Sequence, residues 1–445
     1  MEENAKKKIL WISDHPLVPS GVGSQSKYVI EGLLGTGKYR FICFGGAIKH
    51  PDYRPQKIAP EKYGDDWIVL PVDGYGDKMA LRQMLALERP DAIVMFTDPR
   101  FFTWVWEMED EVRSVCPLLY WHVWDNDPSP DFNRVLYDST DFISALSLKT
   151  FGLLQSLEYP GERFNYIPHT LPGDLFKPLP DQEISDFRKQ YLGPHADREF
   201  ILFWNNRNAR RKQTGDVIAG FAKFLQKSRL KGKASLMMHT GPSDPEGQDI
   251  LAVARKFGIG DDLIVSDQRL SPEDLNRIYN SVDCTINIAS NEGFGLGTLE
   301  SIFSGTPIIV HMTGGLQFQI GNWWEGLTDF SDQDKLMQVA QKQWRSGTGT
   351  WCGVPIFSGT RSCTGSQQIP YIYDDKVSHD DVVKALVRMH GMGREKRRAM
   401  GLRSRDWALG AFNFSKMISD WDSMLGDQID KFHVRVPKQI RTVTL

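Results

Sequence analysis

The chain has 445 residues, more than one ordinary core accommodates and enough for two domains of typical size. Its 41% hydrophobic and 24% charged residues are those of a globular protein, and a net charge of −3 imposes neither a nucleic-acid nor an anionic-membrane partner. Five scattered cysteines read as reduced core or loop residues rather than a disulfide framework or a zinc site; with no apolar leader and no apolar run of membrane-spanning length, the expected compartment is the cytosol.

Apolar strands alternate with amphipathic stretches from the amino terminus on, the pattern of parallel α/β sheets. Strands are expected at Lys8–Ser13, Arg40–Phe44, Trp67–Pro71, Ala92–Phe96, Leu118–His122, Phe142–Ala145 and Phe164–Ile167, with helices between them as at Ser24–Leu34 and Lys78–Glu88. The string Ser20-Gly21-Val22-Gly23-Ser24 follows the first strand and opens a helix, where a doubly wound sheet binds its ligands, so Gly21 and Gly23 are candidate site residues. No acid follows the next strand where a nicotinamide ribose would need one, which lowers a dehydrogenase reading. His122 closes the strand "PLLYWH" at its carboxyl end and is a candidate catalytic group. Asp125-Asn126-Asp127 just beyond reads as loop-capping or acceptor-facing acids.

The proline-dense stretch Tyr166–Glu183 interrupts the pattern, and a second α/β series begins at Phe200–Trp204. Its first strand leads into Arg207-Asn208-Ala209-Arg210-Arg211-Lys212 and a helix at Thr214–Lys227. Further on, the strand Cys284–Ile288 runs into Glu292-Gly293-Phe294-Gly295-Leu296-Gly297-Thr298, a turn that opens a helix carrying a second acid, Glu300. Glycines at such a turn let backbone approach a ligand, and the new helix offers unpaired N–H groups to an anion. Acids on either side suit a molecule with a diphosphate flanked by hydroxyls: a sugar nucleotide.

Two glutamates separated by seven residues, with Gly-Phe-Gly-Leu after the first, resemble the signature of retaining glycosyltransferases of the two-Rossmann-domain GT-B fold, family 4. The resemblance implies that Glu292 contacts the donor sugar and Glu300 the ribose hydroxyls. It also implies that amides of Gly293, Phe294, Gly295 and Leu296 line the sugar, and those near Gly297 and Thr298 the diphosphate. An arginine and, five residues on, a lysine after the first strand of the second series neutralise the departing diphosphate in that family; Arg207 and Lys212 fit, whereas Arg210 and Arg211 read as solvated charges. In that family the turn at Gly21 and Gly23 faces the donor phosphates across the cleft, and a histidine placed like His122 lies near the donor sugar. Expected, then, are a nucleoside-diphosphate sugar as donor, a UDP-sugar above others, with no separate cofactor and no metal. A sugar-nucleotide epimerase on the same fold, or a non-catalytic binding protein, is the competing class.

The domains are expected at 1–178 and 179–420, with 421–445 crossing back to the first. After Gly314-Gly315 a loop over 316–370 replaces the family's short connection and carries four tryptophans; it either shapes the acceptor site beside the cleft or forms a peripheral ornament. Basic clusters at Lys227–Lys233, Arg394–Arg405 and Lys431–Arg441 read as solvated faces or as contacts to a polyanion. The aromatic insert looks somewhat like phage-encoded members, and hydroxymethylated pyrimidines in DNA are one acceptor considered, beside glycans, lipids, proteins and small molecules.

Overall fold

The computed structural model describes residues 5–357 and 359–434. Its first sheet is built from β1 (Lys7–Asp14), β2 (Tyr39–Gly46), β3 (Gln56–Lys57), β4 (Trp67–Pro71), β5 (Ala92–Phe96), β6 (Leu118–His122), β7 (Phe142–Ala145) and β8 (Phe164–Tyr166), in the order β3-β4-β2-β1-β5-β6-β7-β8. Only the two-residue β3 runs antiparallel to its neighbour. β5, Ala-Ile-Val-Met-Phe, is buried at every position, as a strand covered by helices on both faces must be.

The second sheet comprises β9 (Phe200–Asn205), β10 (Ala234–His239), β11 (Leu263–Ser266), β12 (Cys284–Asn287), β13 (Ile308–His311) and β14 (Gly353–Ile356), all parallel, in the order β11-β10-β9-β12-β13-β14. Strand order reverses between β9 and β12, so the loops leaving their carboxyl ends diverge and open a crevice. The basic loop follows β9 and the Glu292 turn follows β12; the topology alone brings the two motifs together. Two such parallel sheets are the α/β architecture expected of the two halves of the chain.

Helix Gly21–Leu34 starts on Ser20, whose hydroxyl accepts from the Gly23 amide at 2.9 Å. Helix Phe414–Asp430 packs on it, so the return to the first domain occurs ahead of the expected Trp421. The Trp421 ring lies 5.6 Å from Trp11 and 4.9 Å from Trp121. Buried aromatic pairs of this kind contribute about 0.5–1.5 kcal/mol each beyond area burial, which pins the returning helix. The two chain crossings touch: Thr170 exchanges hydrogen bonds with the buried Gln25 side chain, and its hydroxyl donates to the Phe412 carbonyl.

The stretch 316–370 is not one long loop. Helix Gln333–Ser346, capped by Asp332, and strand β14 continue the second sheet as an ordinary parallel crossover. The buried positions of the helix are Gln333, Leu336 and Ala340, with Met337, Val339 and Trp344 only partly covered, and this short apolar stripe hid its period in the sequence. Trp323 is buried and stacks on Phe318 at 5.5 Å; it belongs to the main core rather than to a separate ornament. What projects is the antiparallel hairpin β15 (Thr360–Thr364) and β16 (Ile372–Lys376). No helix is long and apolar enough to cross a membrane among the described residues.

Candidate functional site

The loop after β9 and the turn after β12 are stitched together. Ser290 N–H donates to the Arg211 carbonyl at 2.8 Å, Gln213 Nε2 to the Ile288 carbonyl at 2.7 Å, and Arg211 to the Asn291 carbonyl at 2.9 Å. Lys212 is buried and its ammonium contacts the Glu292 carboxylate, which also receives Arg211 at 3.2 Å. Burial and the neighbouring Arg211 press Lys212 toward its neutral form, and Asp125 opposes them. Glu292 is further fixed through its carbonyl, which accepts from Gly315 N–H at 2.7 Å.

Gly295 stands at φ +94°, and a side chain there would come within 2.5 Å of Leu316, so glycine is required for the chain to turn into helix Leu296–Phe303. No side chain caps that helix, which leaves its first amides, around Leu296 and Gly297, available to an anion. One turn further, Glu300 accepts from the Tyr279 hydroxyl at 2.7 Å, and Tyr279 accepts from Asn205 at 2.9 Å. Burial pushes the Glu300 carboxyl up to about 7, against the pull of Tyr279.

Leu296, Gly297 and Glu300 line a cleft of 780 Å³ between the two sheets, with Asn205, His239 and Asp267 from the same domain and Gly21, Ser24 and Lys27 from the opposite one. A side chain on Gly21 would touch Leu296 at 3.6 Å, which places Gly21 on the cleft wall. Gly23 serves differently: a Cβ there would stand 2.7 Å from the Val18 carbonyl, so it permits the tight turn rather than lining the cleft.

Three sequence assignments look different in three dimensions. Arg207 is 62% exposed and pairs with Asp244 at 2.9 Å, outside the Lys212–Glu292 cluster. Arg211, expected to be a solvated charge, is in that cluster. His122 does not reach the cleft: it is fully buried, its Nε2 lies 2.9 Å from the Tyr137 hydroxyl, and its ring packs on Tyr120 and Tyr137. Alternation along β6 explains this, since His122 shares the face of Tyr120 and opposes that of Trp121. Burial drives the imidazole down to about 3, so it is neutral and held as a core group.

The first-domain groups that do meet the Glu292 turn are His169 and the loop after β6. His169 packs on Trp121 at 4.5 Å and on Phe294 at 5.5 Å. A Cβ on Gly293 would stand 3.5 Å from the Val123 carbonyl and 3.8 Å from Asp125 Oδ2. Tyr279 had no motif to mark it, and Asp125 stood in a run read only as loop-capping or acceptor-facing acids.

Three arginines of the cluster Arg394–Arg405 are committed. Arg397 pairs with Asp283 at 2.6 Å, Arg398 with Asp181, and Arg405 donates to the carbonyls of Gly173, Phe176 and Phe303. Lys227–Lys233 leads into the amino end of β10, opposite the cleft, and residues 435–441 of the last cluster lie outside the described residues.

Residues 187–338 match the family model "Glycosyl transferases group 1". A D-inositol 3-phosphate glycosyltransferase from Thermobispora bispora is 26% identical over 168 residues, a match spanning 37% of this chain and 38% of that protein. Among solved structures, Anabaena Alr3699/HepE in complex with UDP and glucose superimposes with a TM-score of 0.66 at 13% identity, covering 95% of this chain and 100% of that one. A sucrose-phosphate synthase from Thermosynechococcus elongatus gives 0.67 at 16% identity, covering 95% and 99%. The chain thus contains a glycosyl transferases group 1 domain, set within a two-domain GT-B fold.

Proposed function

We propose that the protein is a retaining glycosyltransferase that moves a sugar from a nucleoside diphosphate, UDP above others, to an acceptor hydroxyl without a metal ion. The observation that carries the reading is the convergence of Lys212, Arg211, Glu292 and an uncapped helix start where β9 and β12 diverge, with Glu300 on the adjoining cleft wall. Positive groups fixed where a leaving diphosphate gains charge stabilise the transition state more than the ground state. The carboxylate of Glu300 suits two ribose hydroxyls, and Gly21 approaches from the opposite wall. The D-inositol 3-phosphate glycosyltransferase likeness and the UDP complex of Alr3699/HepE lend support.

In this reading the donor diphosphate displaces Glu292 from Lys212 and Arg211, which frees that carboxylate to face the sugar. The bond from the anomeric carbon to the phosphate oxygen breaks, and the acceptor oxygen bonds to the same face. The acceptor proton passes to the departing phosphate oxygen, so no protein base is required. The acceptor is a hydroxyl compound. DNA carrying hydroxymethylated pyrimidines is one candidate among glycans, lipids, proteins and small molecules, although Arg397, Arg398 and Arg405 are already paired within the chain.

The test is a donor panel followed by NMR of the product's anomeric centre. Retained configuration, undiminished by chelator, supports the reading; inverted configuration or chelator-sensitive transfer contradicts it. An altered donor sugar with no acceptor modified would instead indicate an epimerase.

A further inference from the structure

We infer that Asp125 is the first-domain side chain that takes a hydroxyl of the transferred sugar, and that it thereby sets donor-sugar specificity. This rests on the transferase reading above. The position given by resemblance to His122 is filled by core packing, and the chain reaches the donor turn only three residues later, where a Cβ on Gly293 would meet the loop after β6 at 3.5 Å from the Val123 carbonyl and 3.8 Å from Asp125 Oδ2.

The loop is held firmly just beyond Asp125. Asn126 donates to the Tyr373 carbonyl at 3.3 Å, the Asp127 carbonyl accepts from Tyr373 N–H at 2.6 Å, and the Asp127 carboxylate pairs with the buried Lys149 at 2.5 Å. The same Tyr373 carbonyl accepts from Asn291 at 2.7 Å, so strand β16 ties this loop to the turn that carries Glu292. Among the described residues no other side chain donates to the Asp125 carboxylate, whose donor is its own backbone N–H. Arg211, Lys212 and Lys149 surround it electrostatically without pairing to it. A half-buried carboxylate held rigidly with only its own backbone amide as donor is costly unless a ligand supplies another. A phosphate would be repelled, and a sugar hydroxyl donates what the site lacks. With no side chain on Gly293, whose Cβ would stand 3.8 Å from Asp125 Oδ2, this carboxylate stays open to a hydroxyl presented at the turn.

The experiment compares wild type with Asp125→Ala and Asp125→Asn, using UDP alone, a panel of UDP-sugars and their deoxy analogues. For Asp125→Ala, UDP affinity stays within about twofold, whereas kcat/KM with the preferred donor falls roughly thirtyfold or more. For the deoxy donor lacking the contacted hydroxyl, wild type and variant become equal. Asp125→Asn, which keeps the shape, falls about fivefold or more and stands in if the alanine variant does not fold. Variants that match wild type with every donor, or that lose UDP as severely as the sugar nucleotide, overturn the assignment while the transferase reading stands. A wild-type chain that binds no nucleotide sugar overturns both.

Discussion

Lys212 and Glu292, 80 residues apart in the chain, are joined as an ion pair between the loop after β9 and the turn after β12. Both side chains are largely buried, at 8% and 14% exposure, so each charge depends on the other. A diphosphate entering here competes with Glu292 for the same ammonium.

Glu292→Gln therefore separates two effects. It leaves Lys212 and Arg211 without a carboxylate, which lowers the melting temperature. UDP then restores more stability to the variant than to wild type, because a phosphate resolves like-charge crowding that Glu292 had relieved. Sugar transfer falls at least a hundredfold. Thermal shift with and without UDP checks this; equal UDP shifts in the two proteins contradict the exchange.

Lys212 and Arg207 share a motif but not a location. Removing the buried cation, Lys212→Ala, weakens UDP binding by about 2 kcal/mol, roughly thirtyfold. Arg207→Ala costs less than tenfold, since this exposed side chain must leave Asp244 to take part. Calorimetry on both variants gives the order; a larger loss from Arg207→Ala would reverse the assignment of the principal phosphate cation.

How much of this was legible in sequence depended on the type of signal. The uninterrupted apolar run Ala92–Phe96 matched its strand residue for residue, because burial on both faces leaves little ambiguity. Spacing located the Glu292 turn and Lys212 in one crevice. It could not show that Arg207 turns outward to Asp244 while Arg211 turns inward, since both sit on one irregular loop. Nor could it orient His122, whose facing follows from strand alternation past Trp121. The helix Gln333–Ser346 was lost because its fully buried stripe, Gln333, Leu336 and Ala340, holds only two apolar residues.

Glu300 makes donor binding sensitive to pH. Its carboxyl is raised to about 7, so the folded protein holds this proton more tightly than the unfolded chain does. Its ionisation thus costs stability progressively as pH rises from the ordinary carboxylate range through about 7, and the cost is fully present above that. Glu300→Gln should raise the melting temperature more at pH 8 than at pH 5. Wild-type UDP affinity should increase across pH 6 to 8 by more than that of the glutamine variant, whose difference isolates Glu300 from the ionisation of UDP itself. Parallel affinity profiles in the two proteins would remove Glu300 from the ribose site.

His122→Phe addresses a core group. The substitution keeps the ring packing against Tyr120 but removes the hydrogen bond to Tyr137, costing about 1 kcal/mol of stability. Transfer kinetics at a temperature where the variant is folded should stay within about threefold of wild type. A hundredfold fall in kcat with unchanged melting would return His122 to the reacting centre.

The most direct test of a nucleotide-sugar-dependent transferase is calorimetric titration of a UDP-sugar panel into wild type, Lys212→Ala and Glu300→Gln. The account predicts saturable binding of at least one UDP-sugar to wild type, weakened tenfold or more in each variant. Absence of binding by any UDP-sugar or by UDP, or affinity unchanged in both variants, would contradict it.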